Sequence, residues 1–300
     1  MKIGLIDVDG HNFPNLALMK ISAWHKAQGD DVEWCFPFYH YDIVYQSKVF
    51  DDTYSRDIEW VPMADKIIKG GTGYGLDNKL PDEIEHIYPD YSIYPKLTRD
   101  TAYGFLTRGC PRHCKFCIVG DKEGLRSVKV ADLSEFWRGQ KNIVLLDPNI
   151  LACKNRDKYD LFRQLVDSRA VVDFSQGLDI RLTNTYVVEY LNNIRVKRLH
   201  FAWDNPNDDL TPYFERFTEE YKRKSSSGKV VYVLTNFNST MEQNLYRIYT
   251  LRDLGYDPYV MVYDKPNASK EIRNLQRWCN NRFIFKSCER FEDYKKGGGE

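Results

Sequence analysis

The chain has 300 residues, 42% of them apolar and 29% charged, and its 43 Lys+Arg balance 43 Asp+Glu. That length suffices for one large domain, or for a large and a small one, each with its own core. A formal net charge of zero excludes a global basic field that would draw nucleic acid or an anionic membrane, and leaves only a local groove open.

At the N-terminus the apolar run Ile3–Ile6 stops at Asp7 and Asp9, too short for a signal-peptide core. No stretch approaches the roughly 18 apolar residues of a membrane span. The expectation is a cytoplasmic protein with no membrane segment and no strong nucleic-acid signal.

Lys2–Val8 reads as a strand, followed by the polar turn Asp9-Gly10-His11-Asn12. Pro14 suits the first turn of a helix, and Leu16, Leu18, Met19, Ile21 and Trp24 recur at helical spacing up to Gly29. Asp31–Phe36, Tyr41–Phe50 and Ala64–Lys69 are the next strands, and the last feeds Gly70-Gly71-Thr72-Gly73-Tyr74-Gly75. A strand entering a glycine-rich turn suits a Rossmann-like sheet, whose ligands sit at the carboxyl ends of strands. The Pro- and Tyr-rich stretch Pro81–Pro95 reads as a surface linker, which places a domain boundary near Lys96 and divides the chain into residues 1–96 and 97–300. The aromatics Tyr39, Tyr41, Tyr88, Tyr91 and Tyr94 read as ordinary packing.

Beyond the linker, strands alternate with amphipathic stretches. The strands are Tyr103–Thr107, Asn142–Leu146, Val171–Ser175, Arg198–Trp203, Val230–Thr235 and Tyr259–Tyr263. The helical stretches are Leu133–Arg138, Tyr159–Ser168, Thr185–Asn192, Leu210–Lys224, Thr240–Leu254 and Lys270–Asn280, with Ser225-Ser226-Ser227-Gly228 as a turn. Strand spacings of about 30 residues are those of βα units. The expected fold class is α/β: a partial (β/α)6 TIM-type barrel preceded by a small Rossmann-like domain.

The seven cysteines are Cys35, Cys110, Cys114, Cys117, Cys153, Cys279 and Cys288. An odd count with no export signal argues against a disulfide framework and for reduced thiols available to metal. Cys110, Cys114 and Cys117 form C-x3-C-x2-C on the loop after the first barrel strand. With 7 cysteines in 300 positions, chance supplies only about 0.004 such triplets. Three thiolates can each hold one iron of a cubane cluster and leave the fourth iron open for a chelating ligand. A structural zinc site would need a fourth ligand from Cys153, Cys279 or Cys288, since His113 abuts Cys114 too closely.

This loop resembles that of the radical SAM superfamily, in which an aromatic precedes the last cysteine; Phe116 fills that place. The resemblance implies a 4Fe-4S cluster on Cys110, Cys114 and Cys117, and S-adenosylmethionine as co-substrate. It also implies reductive cleavage to a 5′-deoxyadenosyl radical that abstracts hydrogen from an unidentified substrate, with an electron donor such as a flavodoxin or ferredoxin. The family's Gly-Gly-Glu-like turn after the second barrel strand is replaced by Asp147-Pro148-Asn149, whose carbonyl oxygens could take the methionine amine. Gly298-Gly299-Glu300 matches the letters but follows no strand and reads as a tail.

Further strand ends supply the remaining candidate contacts to the nucleoside and the carboxylate: Gln176, Asp179 and Arg181, then Asp204, then Asn236. An Arg can grip a carboxylate at two points. Each of these polar residues is equally a candidate helix N-cap. His200, within a strand, and the outlying Cys153, Cys279 and Cys288 read as packed core residues.

A Rossmann-like unit before such a barrel resembles the cobalamin-binding subgroup. Asp9-Gly10-His11-Asn12-Phe13-Pro14 has the start of the Asp-x-His-x-x-Gly motif, with Pro14 in place of its glycine. The favoured expectation is a reduced domain that recognises substrate without cobalamin. Methylthiotransferases share the layout but need a cysteine triplet in the N-terminal unit, where this chain has only Cys35, so that activity is set aside. The alternatives are a cobalamin-dependent radical methyltransferase and a non-catalytic iron–sulfur or zinc protein.

Overall fold

A computed structural model describes residues 1–10, 12–222 and 228–294. The fold is α/β, built on two parallel sheets. The first has the order β2-β1-β3-β4, from β1 (Lys2–Asp7), β2 (Asp31–Trp34), β3 (His40–Ser47) and β4 (Met63–Gly70). Helix α1 (Leu16–Ala27) starts at Asn15, whose side chain accepts from the Leu18 amide at 3.2 Å. Pro14 therefore precedes the N-cap rather than opening the helix. Leu18 and Ile21 of α1 bury against Ile3 and Leu5 of β1. Among the described residues no helix joins β2 to β3 or β3 to β4, so the sheet departs from a doubly wound pattern.

The segment expected to be a surface linker has structure of its own. Helix α2 (Asp82–Glu85) buries Ile84 in the first core. Tyr91 packs on the second core and donates its hydroxyl to the Phe136 carbonyl at 2.6 Å. Tyr41 is fully buried.

The second sheet runs β12-β11-β10-β9-β8-β5, every pair parallel and each strand beside its sequence neighbour in the sheet. Its members are β5 (Thr101–Gly104), β8 (Asn142–Leu145), β9 (Val171–Phe174), β10 (Arg195–Ala202), β11 (Lys229–Thr235) and β12 (Asp257–Val262). Between β5 and β8 lie a two-stranded hairpin, β6 (Thr107–Arg108) with β7 (Val128–Lys129), and helix α3 (Val119–Glu123). Helices α4 (Asn155–Ser168), α5 (Thr185–Asn193), α6 (Thr211–Glu220) and α7 (Met241–Asp253) fill the later crossovers. Helices α8 (Lys270–Asn280) and α9 (Arg282–Ser287) follow β12.

Alternate strand residues such as Ile143, Val172, Phe201, Val231 and Val260 bury against Phe162, Val188, Phe214, Ile248 and Trp278 of these helices, forming one continuous core. Each such side chain contributes about 1.5–3 kcal/mol on burial.

Two expectations are corrected here. The expected strand Tyr103–Thr107 breaks after Gly104, because the Leu106 and Thr107 amides turn to the Asp147 carboxylate instead of continuing the ladder. The expected helix Leu133–Arg138 is a single 3-10 turn, Leu133–Glu135, held by an Asp132/Glu135 capping box. The chain leaves it as the Phe136 ring closes over Gly104, where a Cβ would lie 2.3 Å from that ring. His11, Ser225–Ser227 and Gly298-Gly299-Glu300 lie outside the described residues.

Candidate metal centre

The three cysteines sit on the long loop of the β6–β7 hairpin, directly beyond the carboxyl end of β5. Gly109 enters the loop at φ +87°, and a Cβ there would meet the Arg126 carbonyl at 2.1 Å, so only glycine fits. The Cys110 amide bonds the Gly124 carbonyl across the neck at 3.1 Å, and the Cys117 amide closes a turn on the Cys114 carbonyl at 2.9 Å. Cys110 and Cys114 are half-buried, and Cys117 is exposed. Burial pushes the Cys114 thiol above its ordinary value, and the neighbouring Asp204, Cys117 and Cys110 push it further, while Arg181 pulls it down. Among the described residues no three or more His, Cys, Asp or Glu side chains converge as a ready-made metal cage.

Three anchors hold this loop. Asp147, buried at the end of β8, accepts the Leu106 amide at 3.2 Å, the Thr107 amide at 2.5 Å and the Thr107 hydroxyl at 2.6 Å. Burial raises its carboxyl to about 6 against those hydrogen bonds. Arg112 of the loop donates to Asp179 after β9. Arg108 pairs with Glu123 and Glu85.

The candidate contacts divide accordingly. The Asn149 amide lies 3.5 Å from the Cys110 sulfur, and its buried Oδ1 has no partner. Asp179 caps its own turn and bonds Arg181 at 2.8 Å, and Arg181 reaches Asp208 at 3.2 Å. Asp204, at the end of β10, is raised to about 6, first by burial and against the pull of Arg247 and Arg181. The Phe116 ring meets Phe237 edge-on at 5.6 Å. Gln176 is exposed, and Asn236, at φ +63°, donates to the Tyr263 carbonyl at 2.8 Å. The loop thus gathers Phe116, Asn149, Asp179, Arg181 and Asp204, while Asp147 serves the loop backbone and Asn236 the end of β12. Three thiols on one pinned loop, with an unpartnered side-chain carbonyl oxygen beside Cys110, are in donor type what an iron–sulfur cluster with one open iron takes, without being preassembled around it.

No protein-family model matches the chain. Two curated proteins share part of its sequence. One, from Pseudoalteromonas atlantica, is 26% identical over 197 residues, which are 58% of this chain and 39% of the relative. The other, from Alteromonas mediterranea, is 26% identical over 191 residues, 57% of this chain and 39% of the relative. Both are named tRNA-2-methylthio-N(6)-dimethylallyladenosine synthase. The chain spans about two fifths of the length of these relatives.

Outside the loop, Cys153 and Cys279 are buried, with thiols pushed up by burial to about 11 and about 12. They behave as core side chains. His200 packs too, stacked on Tyr232 at 5.6 Å and bonded to the Phe174 carbonyl at 3.2 Å. The glycines of the turn after β4 are explained by backbone packing. A Cβ at Gly71 or Gly73 would lie 2.3 Å from the Lys48 or Phe50 carbonyl, so these glycines admit the neighbouring backbone. Asp9 is likewise engaged, accepting from the Val49 and Phe50 amides. His11, the histidine of the motif, lies outside the described residues.

Sequence reasoning missed Arg247, Glu85, Arg108 and Glu123. Arg247 is buried and donates to the carbonyls of Trp203, Asp204 and Leu234 at 2.6–3.2 Å, joining the ends of β10 and β11. Glu85 stays below its ordinary carboxyl value because Lys20 and Arg108 outweigh its burial. Their sequence neighbours carry no signal for these long-range pairings.

Proposed function

We propose that the chain is a radical SAM enzyme whose 4Fe-4S cluster is held by Cys110, Cys114 and Cys117. The observation that carries this is the C-x3-C-x2-C triplet on a pinned loop at the carboxyl end of the first strand of a sequentially ordered parallel sheet. When bound, such a cluster supplies the electron that cleaves S-adenosylmethionine to a 5′-deoxyadenosyl radical, which takes hydrogen from the substrate. In this reading residues 97–300 are a partial (β/α)6 TIM-type barrel and residues 1–96 a Rossmann-like unit that recognises substrate. Asn149 orients the bound methionine moiety through its free Oδ1. Arg181, already aligned by Asp179, faces the methionine carboxylate, and Asp204 lies at the same rim. Phe116 excludes water on the side toward Phe237. The electron donor is a flavodoxin or ferredoxin, and the working compartment is the cytoplasm.

The substrate class we favour is an unpaired RNA base. The relatives' printed name includes a tRNA adenosine, and the second sheet carries aromatic rings on the face away from its helices. There Tyr232 meets Tyr259 edge-on at 5.9 Å, and Tyr259 and Met261 are exposed. Bases stack on such rings with little regard to sequence. Methylthio transfer is not carried over, because that activity needs a cysteine triplet in the N-terminal unit and residues 1–96 hold only Cys35.

The test is anaerobic reconstitution with iron and sulfide, reduction in the presence of S-adenosylmethionine, and assay for 5′-deoxyadenosine, beside a Cys114→Ala control. Product from the native chain alone is the expected result. Zinc in place of iron in the native chain, or equal product from the control, refutes the reading.

A further inference from the structure

A four-member ionic cluster lies where the first unit meets the neck of the cysteine loop. Arg108, two residues before Cys110, gives one guanidinium nitrogen to both oxygens of Glu123, each at 3.0 Å. Its other terminal nitrogen reaches Glu85 of α2 at 2.9 Å. Lys20 of α1 holds the same Glu85 oxygen at 3.1 Å and also bonds the Glu85 carbonyl. The Arg108 guanidinium carbon lies over the Phe105 ring, 3.9 Å from its centroid. All four charged side chains are largely withdrawn from water, at 25% exposure or less. A fork with both terminal nitrogens engaged has a fixed orientation.

Arg108 and Glu123 span the base of the loop, one on β6 and the other ending α3. This closure alone would keep the loop internal to the second unit. Glu85 changes that, since it comes from the other unit and arrives already aligned by Lys20. A second tie acts at the same junction: Lys122 of α3 donates to the Thr72 hydroxyl in the glycine-rich turn. The loop is therefore braced from outside the sheet that carries it.

We propose that Glu85 is a positioning residue that acts through Arg108 to hold the Cys110–Cys117 loop in its cluster-binding shape, so that the first unit completes the metal centre. A ligand or partner that moves α2 would then be felt at the loop. The part of this inference that concerns the cluster rests on the radical SAM reading; the brace itself does not.

The test uses the full chain with Glu85→Gln, which keeps the shape and removes the charge, beside Glu83→Gln as an exposed neutralisation on the same helix. In metal-free protein the alkylation rates of Cys110 and Cys114 are measured by mass spectrometry. Glu85→Gln should raise them severalfold, about two- to fivefold, because a loop that loses this tie opens more often. Glu83→Gln, and buried Cys153 and Cys279 in either variant, should show native rates. In reconstituted protein Glu85→Gln should shift the cluster's reduction potential upward, because the Arg108 charge is then less compensated and favours the more negative reduced cluster. Iron release to a chelator should also accelerate about tenfold. A merely structural role would lower the melting temperature without moving the potential. Native alkylation rates in Glu85→Gln overturn the proposal, as does an equal rise in Glu83→Gln. A native chain that takes up no four-iron cluster defeats the radical SAM reading, while the alkylation rates still judge the brace.

Discussion

Asp147→Asn replaces the buried carboxylate that receives the Leu106 and Thr107 amides and the Thr107 hydroxyl. An amide of the same shape keeps one oxygen, which can serve the two Thr107 donors. Its NH2 then faces the Leu106 amide, donor against donor. One buried backbone N–H left without an acceptor costs about 1–3 kcal/mol, and relief of the buried charge at pH 7.5 offsets part of it, so the variant's local mark is lost protection of the Leu106 amide. The pH dependence adds a signature. The native carboxyl is raised from 3.8 to about 6, so the folded state binds the proton more tightly than the unfolded one. The stability linked to that proton is complete below pH 3.8 and is lost as pH rises through about 6. Between pH 7.5 and pH 5 the native chain should therefore gain about 1 kcal/mol over the variant, which has nothing to titrate there. Subtracting the variant cancels the other groups that titrate in this window, Asp204 among them. Urea unfolding of both proteins at the two pH values gives the difference, and hydrogen exchange at Leu106 and Thr107 localises it. A difference that stays flat between pH 5 and pH 7.5, or amides as well protected in the variant as in the native chain, would refute the role given to Asp147.

Two further substitutions probe the framework of the site. Arg247→Met removes the donors that serve the Trp203, Asp204 and Leu234 carbonyls. It should cost about 3 kcal/mol in urea unfolding, since several buried acceptors lose their partner at once; a loss under about 1 kcal/mol would contradict that account. Gly71→Ala and Gly29→Ala both place a side chain at positive φ, at +93° and +82°. Only Gly71 also has a carbonyl 2.3 Å from the added Cβ, whereas Gly29 has open space. Gly29→Ala should cost about 1–2 kcal/mol from backbone strain alone, and Gly71→Ala distinctly more; equal losses would show that the backbone approach at Lys48 does not matter.

Much of the architecture is legible from neighbours in the chain. The strands of the second sheet recur every 30 residues or so, and their alternate apolar residues, such as Val231 and Val233, mark the face that helices cover. The helix expected at Lys270–Asn280 forms over those residues, because Ser269 caps its first turn and Ile272, Leu275 and Trp278 share one face. The cysteine loop is equally local, a spacing within eight residues that chance rarely produces. The glycine-rich turn misled for a complementary reason. Glycine permits a close approach but does not say of what, and at Gly71 and Gly73 the approaching group is the chain's own backbone.

The sequence by itself determined the alternation of strands and helices and the three thiols at the end of a strand, because both are carried by residues close together in the chain. Only the tertiary structure decided which charges meet at that loop. Asp147 lies 40 positions from Thr107, Arg112 lies 67 from Asp179, and Glu85 lies 23 from Arg108. Such polar pairs have no periodicity to announce them. They exist because the parallel sheet brings its carboxyl ends to one rim and sets α2 against that rim, where burial makes an unpaired charge costly and so selects a partner for each.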